Sequence, residues 1–172
     1  MKDCTVLPVA SVTLRVVIVL NWLGGAAILA LLTATIVAEH WTLTALGIPP
    51  SSPIRSMIMG LRALAVLGLV AVPLNDVVLR RLRAIVETVR WGDPFVATNA
   101  TRLQAIAWAL LALQVLSLVV GEIGKAISTP AYPLHLDAGF STSGWLAVLL
   151  TFILARVFAV GTLMREDLEG TV

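Results

Sequence analysis

Charge is what this chain most lacks: only 13% of its 172 residues are Asp, Glu, Lys or Arg, about half the share usual in a soluble domain, while 59% are apolar. That balance excludes a water-soluble core inside a charged shell and places the chain in a lipid bilayer. The single cysteine, Cys4, excludes an intrachain disulfide, and with no apolar segment ahead of it we expect an inert terminal thiol. The two histidines, His40 and His135, lie near Glu39, Glu122 and Asp137, but without the i, i+4 spacing or cysteine-rich pattern of a zinc site. No metal is therefore expected, and with neither histidine inside an apolar run, no haem. A nucleotide-binding glycine motif, a nucleophile elbow and a close pair of carboxylates within a span are all missing, so we expect no cofactor, no catalytic residues and no enzyme. The calculated pI near 9.2 could suggest nucleic acid. The basic residues, however, gather beside apolar runs rather than among exposed aromatics, which speaks for membrane topology and against direct nucleic-acid binding.

What the chain has is four long apolar runs, at about 16–38, 57–79, 103–120 and 144–163. Each has about the twenty residues that a helix rising 1.5 Å per residue needs to cross the hydrocarbon. The fold class expected is all-α: one transmembrane domain, a bundle of four helices. The first run is too long for the apolar core of a cleavable signal and reads as a retained helix. Within it Ala26, Ala30, Ala34 and Ala38 form a small-residue stripe along which another helix could approach. Pro73 lies near the end of the second run and should kink it.

Between the second and third runs lies the longest polar interruption, Arg80 to Arg102, with five of the twelve basic residues. Leu79, Leu82, Val86 and Val89 recur there at helical spacing, with Arg80, Arg83, Glu87 and Arg90 on other faces. The second helix should therefore continue past the bilayer to about Trp91 as an amphipathic extension standing clear of it. Gly92 and Pro94 mark its end, and Asn99 reads as the N-cap of the next helix, leaving Phe95 as the large apolar residue of the linker. The other two interruptions are rich in turn residues. Alternation at Trp41–Ala45 and Leu134–Leu136 predicts short paired strands in these outer loops, although Trp41 reads equally as an interfacial anchor just beyond the first span.

Lys2, Arg15, Arg80, Arg81, Arg83, Arg90, Arg102 and Arg165 fall on one side of the spans, Arg55 and Lys125 on the other. By the bias of basic residues toward the cytoplasm, both termini and the central loop should be cytoplasmic. Counted from the ends of the apolar runs, Arg156 lies about 10 Å inside the hydrocarbon, with Asn21 at similar depth and Asp76 a little nearer the cytoplasm. Asn21, Asp76 and Arg156 are thus the candidate intramembrane polar cluster. A buried pair that fixes packing is its plainer reading, and Gln114 reads as interhelical glue.

The stretch Gly92-Asp93-Pro94-Phe95 with Asn99 and Arg102-Leu103, together with Phe158, Gly161 and the tail Glu166-Asp167-Leu168-Glu169-Gly170-Thr171-Val172, resembles the small bacterial four-helix membrane proteins grouped as domain of unknown function 2975. The resemblance implies a protein of the bacterial cytoplasmic membrane without established enzymatic activity. It also implies a gene often placed beside one for a small helix-turn-helix regulator of the Cro/repressor type. Two functions from different classes follow. In the first, the chain binds or sequesters such a regulator through Leu82, Val86, Val89, Phe95, Glu166, Asp167 and Leu168. In the second it is a small transporter or channel subunit, active as a homo-oligomer, with a polar path through Asn21, Asp76, Gln114 and Arg156.

Overall fold

The computed structural model describes the backbone of residues 6–37, 54–91, 96–128 and 138–169, and the side chains of 9–37, 58–91, 96–128 and 138–165. Four helices account for nearly all of it: α1 (Val6–Val37), α2 (Ile54–Arg90), α3 (Ala97–Ile127) and α4 (Thr142–Glu169). Each is long and apolar enough to cross a membrane, so the chain is a multi-pass membrane protein in contact with lipid. No strand occurs among the described residues. The segments expected to pair, Trp41–Ala45 and Leu134–Leu136, lie outside them, as do His40 and His135.

All four helices exceed the apolar runs that reveal them. α1 begins at Val6, with Pro8 in its first turn, where a missing N–H breaks no intrahelical bond. α2 passes through Pro73 as one helix of 37 residues, about 55 Å long. α3 starts at Ala97 because Val96, with φ −106° and ψ 142°, is its N-cap and supplies no side-chain bond. Asn99 is therefore not the cap but a residue of the first helical turn.

Close backbone approach among the described residues runs only between chain neighbours: α1 with α2, α2 with α3, and α3 with α4. The helices form a serpentine row rather than a closed ring of four. The α1 seam is narrow. Eight of its covered residues, Ser11, Leu14, Ile18, Asn21, Gly25, Ile28, Leu32 and Thr35, alternate spacings of three and four, the 3.5-residue period of left-handed helix pairs, with Ala10 and Ala34 beside them. Gly25 lets Val72 come so close that an added Cβ would lie 3.0 Å from its methyl, and Gly68 opposes Ile28. The alanine stripe meets the seam only in part: Ala26 and Ala30 are exposed, Ala34 is half-buried and Ala38 lies outside the described residues, because seam contact follows the heptad rather than the four-residue repeat. The apolar core lies farther along the row, where Leu103, Ile106 and Ala155 meet Val78, Ile85, Leu110 and Phe158.

Candidate functional site

Contacts between antiparallel neighbours fix which residues share a level. Asn99 and Arg102 of α3 reach Thr88 and Ala84 of α2, while Gly60 of α2 opposes Ile127 at the other end. Trp22 and Thr35 of α1 meet Asp76 and Arg62. Arg156 of α4 shares a pocket with Ala100, Thr101 and Gln104 of α3. Stepping along each helix from these contacts brings Arg15, Arg80, Arg81, Arg83, Arg102 and Arg156 into one belt across the row. The distance from Arg62 to Arg83 along α2, and from Arg102 to Glu122 along α3, is about 30 Å in each case, the thickness of a hydrocarbon core. Charged residues thus mark off the same length on both paired helices, with arginines at one end.

The belt relocates the intramembrane candidates. Asn21 donates through Nδ2 to the Val72 carbonyl at 3.0 Å, and next to it the Trp22 indole N–H donates to Asp76 Oδ1 at 3.0 Å. Asp76 Oδ2 also pairs with Arg80 Nε at 2.7 Å, one helical turn nearer the belt. Asn21 and Asp76 therefore belong to one α1–α2 clamp. Arg156 does not join them: α4 packs on α3, away from α1, and Arg156 opens into a cleft of about 330 Å³ between α3 and α4. The depth order is the reverse of that counted from the sequence, with Asp76 about 10 Å deeper than the belt in which Arg156 stands. α4 continues as helix to Glu169, so counting from the end of its apolar run placed Arg156 too deep. Gln114 lies apart from both, its Nε2 donating to the Ser141 carbonyl at 3.3 Å where α4 begins.

Just beyond the belt, α2 and α3 are locked by a polar network. Asn99 is fully buried, its relative exposure 0%. Its Nδ2 donates to Thr88 Oγ1 at 2.8 Å, its Oδ1 accepts from Arg102 Nη1 at 2.9 Å, and Thr88 donates to the Ile85 carbonyl at 2.7 Å. Arg102 Nη1 also reaches the Ala84 carbonyl at 3.3 Å. A buried amide is tolerated here because its donor and its acceptor are both satisfied. The end of α2 consequently does not stand clear as expected: α3 covers one side of it. On the other side Leu82 and Val89 remain 40% and 39% exposed and Trp91 82%, whereas Leu79 and Val86 are half-buried. Between those sides a groove of about 530 Å³ is lined by Arg80, Arg83, Ala84, Glu87, Thr88, Trp91 and Arg102. Phe95 lies outside the described residues. Glu166, Asp167 and Leu168 ride on the last turn of α4, and their side chains lie outside the described set.

Residues 66–172 match the family described as Protein of unknown function (DUF2975), well over half of the chain. The chain belongs to this family. Neither a curated protein nor a solved structure matches it. The part shared with DUF2975 starts about a third of the way along α2 and holds the core, the arginine belt beyond α1, the Asn99 network, the groove and the tail. α1 and the first turns of α2 fall outside it.

The opposite end holds two features without a clear mark in the sequence. Arg62 bonds the Thr35 carbonyl, tying the far ends of α1 and α2. Gly139, with φ +128°, exchanges hydrogen bonds with Ser117 Oγ, donating at 3.2 Å and accepting at 3.3 Å, and its backbone lies flat on Gly121. A small residue facing a left-handed glycine was the only signal for this contact, and 12 glycines in the chain dilute it.

Proposed function

We propose that this DUF2975 protein sits in the bacterial cytoplasmic membrane with its arginine belt and both termini in the cytoplasm, where it docks a small helix-turn-helix regulator and holds it at the membrane. One observation carries the reading: α2 runs unbroken past the arginine level to Arg90, with Val89 and Trp91 exposed beyond that level. Exposed apolar residues rimmed by charge are a common form of helix-docking surface. The orientation is supported by the basic residues, eight against two. The choice of partner is supported by the gene setting that the resemblance implies. The work is contact rather than catalysis, and the last turn of α4 with Glu166, Asp167 and Leu168 supplies a second, acidic element for the regulator. The test is co-purification of the solubilised full-length protein with the product of a neighbouring regulator gene. The regulator is retained by the intact chain and lost when Glu166 to Val172 is removed. Failure of the intact chain to retain it overturns the reading.

A further inference from the structure

The groove at the end of α2 has a chemical bias that regulator docking does not use. It brings three guanidinium groups together, and one of them, Arg83, is half-buried yet makes no hydrogen bond or ion pair with any described residue. Its guanidinium nitrogens stay open to solvent and are available to an acceptor from outside the protein. The other two are only partly used by the protein. Arg80 is bonded to Asp76 through Nε, which leaves its two terminal nitrogens. Arg102 spends Nη1 on Asn99 and Ala84, which leaves Nη2. The one carboxylate in the lining, Glu87, lies 3.8 Å from Arg90. Thr88 keeps its hydroxyl on the Ile85 carbonyl. What the groove presents is therefore three guanidinium groups against one carboxylate, a lining of net positive charge. The groove also opens beside the arginine belt, at one face of the slab of about 30 Å.

We propose that the groove binds a phosphate-bearing anion at the membrane surface, with the phosphodiester of an anionic lipid as its occupant: Arg83 makes the primary contact and Arg80 and Arg102 flank it. Arginine suits this task because its planar fork matches two phosphate oxygens at once. The groove is concave and lies between two helices, so it selects a seated headgroup over the diffuse attraction that any basic loop exerts.

The experiment uses the full chain in nanodiscs of phosphatidylcholine containing a minority of phosphatidylglycerol, with bound lipid counted by native mass spectrometry after gentle release. The Arg83→Gln variant is compared with Arg81→Gln, which removes the same charge from a neighbouring exposed position outside the groove. The expected result is retained phosphatidylglycerol on the parent protein, a severalfold loss in R83Q, and parental retention in R81Q. Equal loss in both variants, or no preference for the anionic lipid in the parent, overturns the proposal. A second arm adds inorganic phosphate. Retention of lipid in its presence identifies the lipid headgroup as the source, whereas displacement keeps the phosphate site and assigns it to a soluble phosphate. A melting curve for R83Q matching the parent's keeps the readout separate from folding, since Arg83 holds no other described residue in place.

Discussion

Replacing Asn99 with Ala tests the joint between α2 and α3, on which the whole basic end depends. The substitution removes the donor to Thr88 and the acceptor for Arg102. A neutral hydrogen bond contributes about 0.5–1.5 kcal/mol and one to a charged group about 1.5–3 kcal/mol. Arg102 keeps the longer bond to the Ala84 carbonyl, so the sum is offset in part. We expect a loss of about 2–4 kcal/mol. For a chain of this size a change of 1 kcal/mol moves the melting point by roughly 2–4 °C. The assay is thermal unfolding of the purified protein in a mild detergent, followed by circular dichroism. Thr88→Val, which deletes only one partner of the amide, should cost less, about 1 kcal/mol. The double variant should fall short of the sum, because both changes remove the same bond. A melting point for N99A within a degree of the parent, or full additivity with T88V, would refute the claim that this buried amide holds the hairpin.

Two further substitutions probe other levels of the row. Asp76→Leu leaves the Trp22 indole N–H without its acceptor in the apolar slab, and Asp76→Asn keeps an oxygen for it. D76L should cost about 0.6–1.7 kcal/mol, the range of interhelical hydrogen bonds in membranes, and D76N less, by denaturant titration in detergent. Equal effects would assign the stabilisation to the Arg80 pair instead. Gly121→Ala would drive a methyl to 2.8 Å from the Gly139 Cα and 2.9 Å from the Ala138 carbonyl oxygen, both backbone atoms that cannot swing aside. A cost of about 1–3 kcal/mol is expected from the same titration, and a neutral result would show that the segment before α4 is free to lift off α3.

The four helices were legible because apolar runs of this length fit a membrane span and little else, and the continuation of α2 to Arg90 was legible from Leu79, Leu82, Val86 and Val89 at helical spacing. Two things were not. Depth was counted from the ends of apolar runs, and α4 outlasts its run by several residues, so Arg156 was placed among Asn21 and Asp76 instead of in the belt. Azimuth was the other: a helical wheel gives relative faces but not which of them meets a neighbour. Ala26 and Ala30 therefore looked like a seam, although Gly25 and Ile28 form it. Asn99 shows the same limit in a local form. Its residue type fits an N-cap as well as a buried crosslink, and only the start of α3 at Ala97 separates them. The groove could not be foreseen at all, since it joins Arg83 to Arg102 across a hairpin turn.

The most direct measurement of the regulator account is a titration of the neighbouring regulator against the full-length protein in nanodiscs, read by biolayer interferometry, with Val89→Asp as the comparison. This side chain is exposed and lies beyond the arginine belt, so the variant should insert and melt as the parent does. The account predicts saturable binding to the parent and a loss of about tenfold or more in the variant, equivalent to about 1.4 kcal/mol. Binding of the same strength to both proteins, or none to the parent, would contradict it.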